Sequence, residues 1–574
     1  SEQSKLSSVP APIRFRGITS DLKLHFQYDN GDDQADNEFY LHQQTGGGIG
    51  VIDFDRDGWP DIYCAQAGED ALTRQSGKSN ELFRNLSSTS VADVTAESHS
   101  ADNGYGQGIT VADTNQDGFP DLLIANIGQN VILLNNGDGT FSRGELHSFG
   151  NDQWTTSIAC GDLDGDHLPE LIEVNYINDP SAFDIPCVPD NDACGPSRFK
   201  PAADRWLSLN PTGEFQSIHS STEADGAVAS DSITGHGFAV IIGNLNAQSG
   251  NDVYVANDGD ANFFWQNRRS NAANSSQLTP ENIGQTKSYK WEAEETAYLS
   301  GIATSQQGGR HGSMGLTLAD FDRNGLPDLH VTNYWDQEAD LYLQGNDAIF
   351  RHSSRPWKIR ESSKSTVGWG TQAADFDRDG RPDLMVLNGH IVNHTHRGVP
   401  FRMLPQLYQG HDDHFELVSS PSNADLRQAD GFWSQPTLGR ALAVLDWDQD
   451  GMPDVVGNHL DQPMELLRNE SDQQSRLQLE LVGTTSERDA VGATVRVQSG
   501  ANRWTNWVIN GGFLTSNEAT LDFGLGNSVG PCKVTILWPS GTEQIIENVP
   551  LNHRYLVIEQ ESTAPWSRQD HSRK

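Results

Sequence analysis

A chain of 574 residues that is 35 % hydrophobic and 8 % aromatic, with 14 Trp, carries enough apolar surface to bury a core, which excludes an acidic disordered polymer. Its 79 Asp and Glu against 39 Lys and Arg leave a formal charge of −40, and this excludes nucleic acid and anionic membrane as partners, since phosphate attraction needs clustered cations. No stretch approaches the roughly 18 uncharged apolar residues of a membrane helix, and the polar start at Ser1 lacks a signal-peptide apolar region, so the chain is expected to be soluble, without a membrane span, and already processed if exported.

Residues 1–39 read as an N-terminal segment, and beyond them a nine-residue pattern recurs seven times. It begins at Asp53 (DFDRDGWPD), Asp113 (DTNQDGFPD), Asp162 (DLDGDHLPE), Asn244 (NLNAQSGND), Asp320 (DFDRNGLPD), Asp375 (DFDRDGRPD) and Asp446 (DWDQDGMPD). Successive starts lie between 49 residues (Asp113 to Asp162) and 82 residues (Asp162 to Asn244) apart, so a unit of about 50 residues carries insertions, near 175–230 and 259–312. A Gly-rich alternating run precedes each copy (GIGVI, QGITVA, MGLTLA) and an apolar β-branched run follows it (DIYCAQ, DLLIAN, DLHVTN), so the pattern is the turn of a hairpin. Further strand candidates such as ELFRNL from Glu81 and VILLN from Val131 give about four strands per unit. Seven such units over residues 40–470 predict an all-β fold, a seven-bladed β-propeller.

The turns place carboxylates at positions 1, 3, 5 and 9 with Gly at 6, hard oxygen donors on alternate residues of a tight loop, which suits Ca²⁺ and its six to eight oxygens. Asp and Gly favour turns for ordinary reasons, but six near-complete copies at blade spacing exceed that explanation. The candidate metal ligands are Asp53, Asp55, Asp57 and Asp61; Asp113, Asn115, Asp117 and Asp121; Asp162, Asp164, Asp166 and Glu170; Asp320, Asp322, Asn324 and Asp328; Asp375, Asp377, Asp379 and Asp383; and Asp446, Asp448, Asp450 and Asp454. About six Ca²⁺ ions are expected. An EF-hand is ruled out because position 12 of the first copy is Cys64 rather than Glu. The fourth copy, with Asn244, Asn246 and Gln248, keeps only Asp252 as an acid and has Ser249 where Gly belongs, so its amides are expected to bond within the turn.

Two insertions stand out. The first carries Cys187 and Cys194 around VPDNDA, and a disulfide between them is expected, implying an oxidising compartment; Cys64, Cys160 and Cys532 lie in strand-like runs and read as buried thiols. The second contains SYKWEAEETAYLSGI, which reads as a surface helix. After the sixth blade's apolar strand, His390, His394 and His396 fall within seven residues and could hold a transition metal or make ordinary hydrogen bonds.

A short linker at 469–475 leads to residues 476–560, where RLQLELV, ATVRVQ, ATLDFGL, KVTILW and RYLVIE alternate at period 2 and predict a small β-sandwich or barrel docked on the propeller, with 561–574 a frayed tail. The turns resemble FG-GAP/VCBS repeats, those of integrin α-subunit propellers. DAVGATVRV (489–497), GGFLTSN (511–517), FGLG (523–526) and WPSGTEQ (538–544) resemble the ASPIC/UnbV domain that follows such repeats in cartilage acidic protein-like chains. The resemblance implies a Ca²⁺-loaded propeller that is secreted, periplasmic or at the cell surface.

There is no GxSxG, HExxH, P-loop or dinucleotide fingerprint. The reading is an exported binding, adhesion or surface-assembly module for a protein or carbohydrate ligand, leaning away from an enzyme. The alternative is a propeller lyase or hydrolase acting on a carbohydrate polymer, which would need convergent acid or His groups in a pocket on the propeller axis.

Overall fold

The structure is a computed structural model, described here for residues 12–32, 39–71, 75–144, 153–187, 195–209, 215–217, 234–267, 293–419, 431–561 and 566–567. Each of the seven turns joins the first two strands of its own antiparallel sheet. In the first sheet Ile49–Ile52 enters the turn and Asp61–Cys64 leaves it, with Ile52 opposite Asp61, and Glu81–Asn85 and Val91–Asp93 complete the order. The equivalent first strands are Tyr105–Ala112, Thr155–Gly161, Gly237–Gly243, Leu316–Ala319, Gly368–Ala374 and Gly439–Leu445. Each touches the next, and the last touches the first, so the sheets radiate from a ring of first strands in the manner of a propeller. These strands are buried along nearly their whole length, which explains their small and β-branched composition.

Two expectations need correction. Phe15–Gly17 is not part of a separate N-terminal segment: it pairs with Glu465–Asn469 as the outer strand of the seventh sheet, a three-residue piece too short to show periodicity. The expected surface helix also fails. Ala293–Glu295 is the outer strand of the fourth sheet, opposite Phe263–Asn267, because pairing to an open edge outweighs the helix preference of Ala and Glu. Only Ala297–Ser300 is helical, closed by left-handed Gly301, and residues 288–292 lie outside the described residues.

The C-terminal strands form two sheets. Ser475–Val482 lies between Leu521–Gly526 and Arg554–Ile558, and Thr494–Ser499 lies between Asn502–Trp507 and Cys532–Leu537, which pairs on to Glu543–Val549. Leu477, Leu479, Val495, Val497, Phe523, Val534, Ile536 and Trp538 pack between them as one core, so this is a sandwich. Within the expected tail, Trp566–Ser567 adds a strand against Arg554–Ile558.

One loop leaves the sandwich and enters the ring. Asn510–Gly512 pairs antiparallel with the fourth sheet's first strand, Gly511 opposite Ile241, and Thr515–Ser516 pairs in parallel with the first sheet's, Thr515 opposite Ile49. Between them Leu514 accepts the Ile109 N–H at 3.1 Å and donates to Ser157 Oγ at 3.2 Å. Gly48 packs against the Leu514 carbonyl, where any side chain would collide. Phe513 sits 5.7 Å from Trp369 and 6.0 Å from Phe238, and Phe238 stacks on Tyr176 at 4.4 Å, itself 5.0 Å from Trp154. The Arg440 guanidinium lies 4.1 Å over Trp369. The axis is thus filled by buried side chains.

Candidate metal centres

The turns share a backbone device that the sequence conceals. Position 4 is left-handed in all seven: Arg56, Gln116, Ala247, Arg323, Arg378 and Gln449 have φ between +56° and +61°, and Gly165 has +71°. Position 6 follows suit at Gly58, Gly118, Gly325, Gly380 and Gly451, and at His167, whose φ of +75° shows that the missing Gly did not change the loop. In the fourth turn the second left-handed residue is Gly250, one place later.

These conformations aim backbone N–H groups at the side chains. Position 1 accepts from position 6, as Asp53 does from Gly58 (3.1 Å), Asp320 from Gly325 (3.0 Å) and Asp375 from Gly380 (2.8 Å). Position 3 accepts from position 5, as in Asp377 from Asp379 (3.1 Å), and position 5 from position 7, as in Asp450 from Met452 (2.8 Å). Position 9 ties the turn to its sheet: Asp61 accepts from Phe54 (3.3 Å) and Asn85 (2.8 Å), and Asp454 from Trp447 (2.8 Å) and Asn469 (2.6 Å). The third-strand residue that donates then reaches the neighbouring sheet. Asn135 Nδ2 donates to the Phe54 carbonyl (2.8 Å), Asn267 to Leu163 (2.8 Å), Gln344 to Leu245 (2.6 Å), Asn469 to Phe376 (2.9 Å) and Asn85 to Trp447 (2.9 Å).

With the loops so held, five turns bring three carboxylates to within 4.8 Å of one another: Asp53, Asp55 and Asp57; Asp162, Asp164 and Glu170; Asp320, Asp322 and Asp328; Asp375, Asp377 and Asp383; and Asp446, Asp448 and Asp454. Glu170 Oε1, Asp320 Oδ1 and Asp375 Oδ1 are buried and accept no hydrogen bond from any described residue. Buried carboxylate oxygens without donors cost several kcal/mol unless a cation meets them, so the donor set fits a hard divalent ion. Burial, reinforced by neighbouring carboxylates, pushes Asp320 and Asp446 up to about 7, and Glu170, Asp328, Asp375, Asp383 and Asp454 well above the usual carboxylate range.

The turns differ in chemistry. In the second, Asn115 replaces an acid and its Nδ2 donates to Asp117 Oδ2 at 3.0 Å; Asp113 rises to about 7 through burial and then Asp489. In the first, Arg84 lies 2.5 Å from Asp55 and 3.0 Å from Asp57, so a guanidinium shares that site. In the fourth, Asn246 Nδ2 donates to Asp252 Oδ1 at 3.1 Å and Asn246 Oδ1 accepts from Gln248 at 2.8 Å, the internal amide bonding expected from its composition. Asp117, Asp166, Asn324 and Asp379 take part through position 5, outside the five triads; Asp379 pairs with Arg381 at 2.8 Å. Asp121 accepts from Thr114 and Asn135 as a position 9 anchor.

The C-terminal sandwich covers this turn face. Arg56 lies 3.8 Å from Glu480, the Asp113 N–H donates to Asp489 (2.8 Å), and Asn251 Nδ2 donates to the Val491 carbonyl (3.0 Å). Trp504 Nε1 donates to the Gly380 carbonyl (3.1 Å) with Arg323 over its ring, Arg378 is bonded to Asp522, and Gln478 Nε2 donates to Asp446 (3.1 Å).

The opposite face collects Cys187, Tyr176, His236 and the His390 loop, since each second strand runs away from its turn. Cys187 is buried there with its N–H donating to the Phe39 carbonyl at 2.6 Å, while Cys194 lies outside the described residues. Cys64, Cys160 and Cys532 are buried free thiols, as expected. Tyr176 OH donates to Asp258 (2.8 Å), and His236 Nδ1 bonds Asp260 (2.8 Å). His390 Nδ1 accepts the Val392 N–H (2.9 Å), and burial pushes its pKa down to about 3. The rings of His390, His394 and His396 follow one another at 5.6 and 6.1 Å and do not converge as one ligand set among the described residues.

Comparison with known proteins agrees with this architecture. The FG-GAP-like repeat model matches residues 53–124, 113–172 and 320–386, and the ASPIC and UnbV model matches residues 483–564. The chain is an FG-GAP repeat protein with an ASPIC/UnbV domain. It is homologous to cartilage acidic protein 1: the Mus musculus protein is 23 % identical over 528 residues, covering 86 % of this chain and 70 % of its own length. The Homo sapiens protein is 25 % identical over 331 residues, and that match spans 56 % of this chain and 44 % of the human one. Among solved structures, that of an Agrocybe aegerita lectin recognising non-reducing terminal N-acetylglucosamine is 13 % identical, with a TM-score of 0.40, over 71 % of this chain and 88 % of the lectin. FG-GAP repeats often bind calcium, and the acidic triads are the groups in this chain suited to it. No helix among the described residues is long and apolar enough to cross a membrane.

Proposed function

We propose that the chain is a secreted, calcium-stabilised seven-bladed propeller that acts as a binding or adhesion module for an extracellular protein. The observation that carries this reading is the filled axis: Phe513, Phe238, Trp369, Tyr176 and Trp154 occupy the place where a propeller enzyme would keep its substrate pocket. Recognition then falls to the loops on the face remote from the turns, where half-buried Tyr334 and Trp335 flank His390 at 5.4 and 6.1 Å. Ca²⁺ in the turns has a structural role: Asp162, Asp164 and Glu170, Asp320, Asp322 and Asp328, and their counterparts in the first, sixth and seventh turns would hold it, and the second turn would hold it less tightly. The ion supplies positive charge and fills oxygen valences; the chain supplies loops already bent to receive it. Screening the calcium-loaded chain against arrays of extracellular proteins and glycans tests the reading. Binding that Trp335→Ala and His394→Ala abolish without lowering the melting temperature supports it, and protein-dependent turnover of a polysaccharide overturns it.

A further inference from the structure

The sandwich brings carboxylates of its own to the turns it covers. Asp489 Oδ2 accepts the Asp113 N–H and Glu518 Oε2 accepts the Asp446 N–H, both at 2.8 Å, so position 1 of the second and seventh turns faces a second acid across the domain boundary. Gly524 packs against the Asp375 carboxylate so closely that no side chain fits, while Asp375 Oδ1 stays buried without a donor among the described residues. Six guanidiniums also line this boundary: Arg378 meets Asp522, Arg56 meets Glu480, Arg554 is shared by Glu480 (3.5 Å) and Glu518 (2.5 Å), Arg323 lies over Trp504, and Arg476 and Arg488 pack on Gly451 and Gly118. At position 1 of the second and seventh turns acid still lies against acid, and like charges this close repel unless a positive ion sits among them.

The axial loop makes its own bonds to the ring. Leu514 accepts from Ile109, Asn510 Oδ1 accepts the Cys160 N–H (2.9 Å), and Asn517 Oδ1 accepts the Val444 N–H (2.9 Å). Both ends of the loop return to the sandwich, so it can occupy the axis only while the sandwich rests on the turns.

We infer that divalent cations in the turns latch the C-terminal domain onto the ring: loaded turns hold the loop of residues 508–518 in the axis, and emptied turns release it. The inference rests on the cation reading of the turns and goes beyond it, because it gives the ions a second task besides stiffening each loop. Release would uncover the apolar column of Phe238 and Trp369, a surface absent from the loaded form.

Hydrogen exchange on the full chain, in Ca²⁺ and after chelation, with metal content measured on the same samples, tests it. The amides of Ile109, Cys160 and Val444, whose acceptors lie on the loop, should exchange faster by at least about tenfold after chelation, while Leu123, bonded within its own sheet, stays protected. In Asp489→Asn, which keeps an acceptor for Asp113 but removes a charge, chelation should accelerate exchange less. Loss of the metal with all three amides still protected overturns the latch and leaves the cation reading standing, as does equal acceleration at Leu123 or in the variant. A chain that holds no Ca²⁺ at millimolar concentration overturns both.

Discussion

The fourth and sixth turns hang from the same scaffold and differ in what fills it. In each, position 9 accepts from position 2 and from the third strand: Asp252 from Leu245 (3.1 Å) and Asn267 (2.9 Å), Asp383 from Phe376 (2.8 Å) and Gly410 (2.8 Å). At position 3 the fourth turn has Asn246, whose amide donates to Asp252, whereas the sixth has Asp377, which has no proton to donate, beside Asp375 with a buried oxygen that no described group meets. Position 9 is thus a structural acid in both turns, and positions 1 and 3 decide whether the turn closes on its own hydrogen bonds or on a cation.

The largest expected effect breaks the comparison wholesale. Chelation should leave the fourth turn intact and strip the five triads, each worth about 3 kcal/mol at a hundredfold excess of free ion over Kd, so the melting temperature should fall by on the order of 10 °C or more. Calorimetry with and without chelator checks this, and an unchanged transition would contradict it. Next in size is Phe513→Ala, which opens a cavity among Trp369 and Phe238 and should cost about 3 kcal/mol in denaturant unfolding with calcium present.

Asp377→Asn sharpens the comparison by giving the sixth turn the chemistry of the fourth. In calcium it should destabilise by about 1 to 2 kcal/mol, and in chelator it should stabilise, because an amide can donate where two carboxylates repel. The same sign in both conditions would show that the two turns do not differ in the way described.

The repeats, the hairpin at each turn and the sandwich strands were legible because period-2 alternation and DxDxDGxPD are local signals. Asn246 bonding inside the fourth turn followed from its amide composition. What sequence hid is non-local or conformational. Arg56, Arg323 and Arg378 give no hint of left-handed backbone, Asn85 and Asn135 look like ordinary strand ends though they stitch adjacent sheets, and GGFLTSN reads as a domain motif though Phe513 fills another domain's axis. The position 4 pattern, a non-Gly residue in six copies that lies between two acids in three of them, at Arg56, Arg378 and Gln449, is the one signal that could have been read.

The smallest effect lies on the face away from the turns. Asp340 is buried; burial alone would raise its carboxyl, but hydrogen bonds from His311 (3.1 Å) and His352 (2.7 Å) hold it below the usual range. Burial lowers the His311 pKa, and the Asp340 hydrogen bond and charge more than offset this, raising it above the usual imidazole value. A raised folded-state value means the pair's stabilisation is complete below the unfolded value of about 6.5 and fades as pH rises through the folded one. His311→Asn should therefore destabilise more at about pH 5.5 than at about pH 8.5. A cost independent of pH would assign His311 a packing role alone.

The most direct test of the central claim is anomalous diffraction from crystals of the full chain grown in millimolar calcium, with the sixth and fourth turns compared in the same map. An ion is expected among Asp375, Asp377 and Asp383 and none among Asn244, Asn246 and Asp252. Equal density in both turns, or an empty sixth turn, would contradict it.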